Sequence, residues 1–283
     1  MALVSTGRML RDAQEGHYAV PAFNFENMEM LQAVLCAAAA MKSPVILQTT
    51  PGTVRYAGLA MLRAMAAAES QKYDIPVALH LDHGNSLQIC REALEQKYTS
   101  VMIDGSKLDF EHNVGLTRSV TEAASPFQIA VEGELGTVGG KEDDLAVGPG
   151  EARYTSPGQA EEFVRRTGVS SLAVAIGTAH GFYKGEPHLN FDRLREIRQK
   201  VSVPIVLHGA SGLPDESVRR CVELGCCKVN FATELRAAFT EGVREALKDE
   251  TIYDPKAFMK PGRKDVEDLV KHKIRVCGSA GRG

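Results

Sequence analysis

The sequence predicts a (β/α)8 barrel, a TIM barrel, built as one domain over residues 1–283. Three observations carry that expectation. Short apolar runs rich in β-branched residues alternate with longer amphipathic stretches. Eight such runs fit in 283 residues, a length that one α/β barrel fills. Several runs (PVILQ, PVALH, PIVLH) are apolar almost throughout, as strands covered by helices on both faces of a parallel sheet are.

The candidate strands are Tyr18–Asn24, Pro44–Gln48, Pro76–His80, Ser100–Asp104, Gln128–Glu134, Ser171–Ile176, Pro204–His208 and Cys227–Asn230. Helical spacing runs through Met28–Met41, Gly58–Lys72, Leu87–Lys97, Asn113–Ala124, Pro157–Thr167, Phe191–Lys200 and Asp215–Leu224. Strand-helix alternation of this kind argues for parallel βα units. No Ser/Gly-rich linker or low-complexity tract interrupts it. The exception is Val138–Ser156, rich in glycine and acidic residues and longer than a usual βα connection. That segment is expected to be a mobile functional loop.

A net charge of -3 and a pI near 6.3 leave no electrostatic footprint for nucleic acid or an anionic membrane. A phosphorylated small molecule would need only a local positive pocket. The longest apolar stretch, Ala33–Met41, is half of the ~20 residues that span a bilayer. The first residues lack the apolar centre of a signal peptide. The six cysteines form no CxxC pair, and Cys226 and Cys227 are adjacent, which suits thiols in a reducing compartment. A soluble, cytoplasmic protein without nucleic-acid or membrane partners is expected.

In a TIM barrel, chemistry gathers at the C-terminal ends of the strands. Here nearly every such end carries a reactive side chain: Asn24, the run His80-Leu81-Asp82-His83, Asp104, Glu132-Gly133-Glu134, His180, His208 and Asn230. A lone histidine in a strand is usually a structural residue, but several on one rim reverse that expectation. Three neutral imidazoles and an open position make a catalytic zinc site. Four histidines compete for the three places. Side chains alternate along a strand, so His80 and Asp82 share a face, and His83 is expected just past the strand on the rim. Metal binding then suits His83 and an orienting role suits His80, although spacing alone does not decide it. His17, His112, His188 and His272 have no convergent partners.

Asp82 adjoins a candidate ligand and faces the barrel mouth, where it could move a proton. Asp104 and Glu134 could ligate metal or hold a ligand. Lys141-Glu142-Asp143-Asp144 reads most simply as a solvated charge run, yet a lid carboxylate can also supply a base when substrate arrives. Glycine-rich turns follow His180 (with Lys184 nearby) and His208, and Thr233 is placed to cap the helix after Asn230. Backbone N–H groups from such turns form anion sites, typically after strands 7 and 8 of this fold.

Taken together, HLDHG, VEGELGTVGGKEDD, AIGTAHG, VLHGASG and KVNFATEL resemble the class II, metal-dependent ketose-bisphosphate aldolases over essentially the whole chain. The resemblance implies that His83, His180 and His208 bind one Zn2+ per subunit, with Asp104 and Glu134 at an alternative metal position. It implies that Asp82 moves the proton on the aldehyde-derived oxygen, and Glu142 the proton on the dihydroxyacetone-phosphate carbon. Gly181, Lys184, Gly209, Ser211, Asn230 and Thr233 would hold that fragment's phosphate, with a monovalent cation (Na+ or K+) nearby. Homodimers or homotetramers are usual in the family.

Chemistry points the same way. Retro-aldol cleavage leaves an enediolate whose charge needs a Lewis acid. No lysine stands at a strand end with the burial that a Schiff-base amine needs, which disfavours the covalent route. AVAIGTAHG, HGASG and Ala232 resemble tagatose-bisphosphate aldolases, whereas Gly84 and HGFYKGEP lean towards the fructose type. Tagatose 1,6-bisphosphate is therefore the expected substrate and fructose 1,6-bisphosphate the alternative. Asn24 and Thr50 are candidate substrate contacts, and Thr50, Arg275 or Arg282 could meet the second phosphate. A zinc hydrolase on this fold would want an HxH pair on strand 1, which carries Asn24 instead. A non-catalytic accessory barrel would have lost Asp82, Glu142 or a metal histidine, and all are present.

Overall fold

The computed structural model describes residues 3–142, 145–148, 153–183 and 185–283. In chain order the first half forms α1 (Thr6–Gly16), β1 (Val20–Asn24), α2 (Met28–Ala40), β2 (Val45–Thr49), α3 (Pro51–Ala57), α4 (Leu59–Ser70), β3 (Val77–Gly84), α5 (Leu87–Glu95), β4 (Ser100–Ile103), α6 (Phe110–Ala124) and β5 (Ala130–Leu135). The second half forms β6 (Gly139–Glu142), β7 (Leu145–Val147), α7 (Pro157–Thr167), β8 (Ser171–Val174), β9 (Ala179–His180), α8 (Phe191–Lys200), β10 (Ile205–Leu207), α9 (Asp215–Glu223), β11 (Cys226–Phe231), α10 (Thr233–Ala246) and α11 (Pro255–Val276).

Eight strands close into an all-parallel barrel in the order β1-β2-β3-β4-β5-β8-β10-β11, and β11 pairs back onto β1. The eight predicted strands are these eight. Helices start where the sequence provides caps: the Asn27, Ser86 and Asp109 side chains accept from the backbone N–H of Met30, Ile89 and His112. The apolar sides of the strands pack outward against the helices in one continuous core.

Inside, the barrel is stratified. Its N-terminal end is an apolar plug in which Met9, Leu10 and Ala13 of α1 meet Val20, Ala22, Ile46, Ala78 and Cys227. Periodicity had not singled out α1, nor α3 and α11. Further along the strands, the interior turns polar: Ser100, His80, Glu132 and Lys228 are all almost fully buried. Among the described residues, the segment expected to be a mobile functional loop contains a two-stranded ribbon. β6 pairs antiparallel with β7 and parallel with β9. Among the described residues no helix is long and apolar enough to cross a membrane.

Strand β3 departs from expectation in a consequential way. His83 lies within the strand, not beyond it, at φ +49°. Between the pairs Leu81↔Val101 and Gly84↔Ile103, β3 uses one more residue than β4, which makes a bulge. Simple alternation would send His83 out of the barrel when Asp82 faces in; the bulge re-aims it. Gly84 closes this bulge against β4, where a Cβ would stand 2.4 Å from the Met102 carbonyl oxygen and 2.9 Å from Cys90 Sγ. Gly84→Ala is therefore expected to destabilise the fold by about 1–3 kcal/mol, as overpacking does. Urea unfolding measures this, and an unchanged midpoint would mean that the β3–β4 junction yields freely.

Candidate active site

The C-terminal mouth of the barrel gathers the histidines. His83 from β3, His180 from β9 and His208 after β10 are all buried, and one ring nitrogen from each lies within 4.8 Å of the others. His83 Nε2 and His208 Nδ1 face each other at 3.0 Å. His83 stacks edge-on against both neighbours, at centroid distances of 4.7 Å and 5.0 Å.

Carboxylates hold the far sides of two rings. Asp104 Oδ2 lies 3.0 Å from His83 Nδ1, and Glu132 Oε1 lies 3.0 Å from His208 Nε2. Such carboxylate-imidazole pairs fix tautomer and ring direction in metal sites. Burial, then the neighbouring rings, keeps His180 well below the usual imidazole range. Burial likewise lowers His208, so these two rings stay neutral and able to ligate. Burial would lower His83 too, but Asp82, Asp104 and Glu134 raise it well above the usual value. The pocket thus favours positive charge where the three nitrogens converge. Three convergent imidazoles without a thiolate match the donor set of catalytic zinc.

His180 owes its position to the β6 ribbon. Gly140 pairs with His180 at φ +91°, and a Cβ there would fall 2.1 Å from the His180 carbonyl oxygen. Only glycine allows that approach.

Asp82 lies beside this cluster and is held from two directions. Asn24 Nδ2 donates to its Oδ2 at 3.0 Å, and Asn230 Nδ2 donates to its Oδ1 at 3.1 Å. Gln48 donates in turn to Asn24 Oδ1 at 3.0 Å. Burial would raise Asp82, yet His83, His208, Lys228 and His80 together bring it down to about 2. Asp82 is therefore a carboxylate at neutral pH, with both oxygens aimed by amide donors.

The turns after β10 and β11 meet at the start of α10. Ala232, not Thr233, is the cap residue of that helix, and its side chain caps nothing. The Ser211 hydroxyl does that work from the neighbouring turn, accepting from the N–H of Ala232 at 3.3 Å and of Glu234 at 3.5 Å. Tyr183 ties the preceding turn in: its hydroxyl accepts from Ala179 N–H and donates to the Gly209 carbonyl at 2.8 Å.

A model of class II fructose-bisphosphate aldolases matches residues 4–282. The chain belongs to that family. It is 38% identical to the YdjI aldolase of Escherichia coli K12, with a TM-score of 0.87 over 99% of both chains. A Coccidioides immitis protein assigned as a fructose-1,6-bisphosphate aldolase is 29% identical, with a TM-score of 0.87 over 97% of this chain and 96% of that one. A fructose-bisphosphate aldolase from Campylobacter jejuni is 22% identical and shares the fold, with a TM-score of 0.84 over 100% of this chain and 97% of that one. The protein is thus an enzyme, a carbon–carbon lyase of the class II aldolase family.

Other residues of the aldolase depart from the sequence-based expectation. His80 hydrogen-bonds Ser100 Oγ at 2.7 Å and lies 3.5 Å from Lys228 Nζ, so it holds none of the three converging rings. Glu132 does, although the sequence pattern singles out Glu134, two residues further along the same strand, and not Glu132. Asp104 and Glu134 form a second group of potential ligands with His83. A deeply buried lysine also exists, contrary to expectation: Lys228 lies in β11 with its Nζ 2.9 Å and 3.1 Å from the Glu132 oxygens. That ion pair sits two residues below Asn230, and its amine is committed to the carboxylate. Thr50 caps α3 and bonds Thr53 Oγ1 at 3.2 Å. Arg282 lies over the Tyr18 ring in a cavity of about 570 Å³ lined by Pro44 and Pro76, at the opposite end of the barrel. Arg275 is exposed near the end of α11. Lys184 lies outside the described residues, and Glu142 is described only as the last residue of β6.

If Glu132 orients His208, Glu132→Gln should weaken zinc binding about 10- to 100-fold, and it should also lower stability because Lys228 loses its buried counter-charge. Competition with a metal-sensitive dye measures it, and wild-type affinity would contradict the role.

Proposed function

We propose that the enzyme reversibly cleaves a ketose 1,6-bisphosphate into dihydroxyacetone phosphate and glyceraldehyde 3-phosphate, using one Zn2+ held by His83, His180 and His208. The observation that carries this reading is the placement of the Asp82 carboxylate, fixed by two asparagine amides, against three convergent imidazoles. When bound, the zinc supplies a Lewis acid that stabilises the enediolate charge left by bond cleavage.

The chain's own residues would do the rest. Asp82 takes the proton from the hydroxyl on the carbon that becomes the aldehyde, as the carbon–carbon bond breaks and its electron pair stays with the dihydroxyacetone-phosphate half. Asn24 and Asn230 aim its two oxygens, so that one can turn to the substrate without losing the other's partner. Glu142, two residues beyond the Gly140–His180 pairing, in its acid form delivers a proton to the dihydroxyacetone-phosphate carbon that kept the electron pair, and in the reverse direction takes it away as a carboxylate. Gly181, Lys184, Gly209, Ser211, Asn230 and Thr233 hold the phosphate, with a Na+ or K+ ion beside them. Asp104 and Glu134 offer the metal a second position. A homodimer or homotetramer in the cytoplasm fits a soluble family of this kind.

For the sugar, Ala232 supports tagatose 1,6-bisphosphate, because it stands where fructose-type enzymes usually carry Asp or Asn. The fructose-aldolase relatives favour the alternative substrate. A single hydroxyl separates the two sugars, and hydrogen bonds to one hydroxyl can discriminate strongly. Steady-state kcat/KM for both sugars, before and after chelation, tests the reading. Activity on a bisphosphate that vanishes with the metal and returns with zinc is expected, with tagatose the better substrate. Cleavage that survives complete metal removal would overturn the mechanism, and a preference for fructose would overturn the sugar assignment.

A further inference from the structure

Lys273 is a cation that the mechanism does not use, and it is only 4% exposed although it lies on the last helix. Its Nζ stands 2.8 Å and 3.2 Å from the two Glu234 carboxylate oxygens and 5.2 Å from the centre of the Phe231 ring. Glu234 is the second residue of α10, directly after the turn that ends β11. Its carboxylate also reaches across to the neighbouring turn, where Oε1 accepts from Gly212 N–H at 2.6 Å. The preceding residue of α11, His272, lies 2.9 Å from Asp215, the first residue of α9. Two adjacent residues of α11 are therefore tied to the 209–214 turn, Lys273 through Glu234 to Gly212 and His272 to Asp215 just beyond it.

We infer that Glu234 and Lys273 are positioning residues for the phosphate cradle, Glu234 by latching Gly212 and Lys273 by cancelling the charge of that latch. This rests on the proposal that the turns at Gly209, Ser211 and Thr233 hold the substrate phosphate.

The physical argument has two parts. The Gly212 N–H must be held for the Ser211 hydroxyl to stay over the start of α10, and the Glu234 side chain holds it. A carboxylate at that place would by itself repel an arriving phosphate, strongly so where water is scarce. Lys273, buried against the same carboxylate, removes that repulsion without offering a competing solvent-exposed cation. Taking Lys273 away should leave a partly buried, uncompensated negative charge beside the cradle. Replacing Glu234 by glutamine keeps an acceptor for Gly212 N–H while removing the charge. The second change should therefore offset the first.

Inorganic phosphate is the probe, titrated calorimetrically into the zinc-loaded enzyme. Lys273→Met should weaken phosphate binding about tenfold. The Glu234→Gln/Lys273→Met double variant should bring it back to within about threefold of wild type. In turnover, KM for the phosphorylated ketose should follow these changes while kcat stays near wild type. Ser211→Ala is the reference for the cradle itself. Weakened binding in Ser211→Ala with wild-type binding in Lys273→Met would overturn the latch and leave the cradle standing. Unchanged binding in Ser211→Ala would remove the cradle and the latch with it. A double variant as weak as Lys273→Met, or weaker, would show that packing and not charge is what Lys273 supplies, and would also overturn the inference.

Discussion

The ion pair between Lys228 and Glu132, sealed inside the barrel, is the contact on which the rest of the site depends. Burying two charges carries a heavy desolvation cost, and an apolar pair could fill the same volume. What an apolar pair would not provide is an anchor. Glu132 uses one oxygen on both Lys228 and His208, so the lysine holds the carboxylate and the carboxylate holds the ring. Lys228 further adds positive potential that helps keep Asp82 ionised. His80, Ser100 and Thr6 continue the polar chain at 2.7 Å and 2.8 Å down to α1, the helix that closes the opposite end. The active end is thereby built on a floor of buried polar contacts that itself stands on an apolar plug.

Above that floor, convergence comes from three local devices. A bulge turns His83 inward beside Asp82 when alternation would separate them. A ribbon edge meeting glycine positions His180, and a turn secured by Tyr183 follows His208. Each device lies at a strand end, where the barrel's regular pairing stops and the chain is free to take unusual backbone shapes. That is the physical reason this fold concentrates chemistry on one rim.

Much of this was legible in the sequence, and the omissions have causes. All eight barrel strands could be read because their short, largely apolar runs alternate regularly with longer amphipathic stretches. The histidine and carboxylate cluster was legible because polar residues at the ends of apolar strands contradict the burial around them. The His83 bulge was not, since one extra residue in a strand leaves no mark in hydrophobic periodicity. Lys228 was hidden by its neighbours, for within CCKVNF it reads as an ordinary charged residue until β11 is known to bury all six positions. Ser211 capping α10, and Lys273 reaching Glu234, join residues distant in sequence that only the closed barrel brings together.

The central claim is that three imidazoles, steered by buried carboxylates, make one metal site with an open position. X-ray absorption at the zinc edge of the metal-loaded enzyme tests it most directly. The account predicts three imidazole nitrogens at roughly 2.0–2.1 Å with one further oxygen ligand. A spectrum dominated by carboxylate oxygens, or by thiolate sulfur, would contradict it.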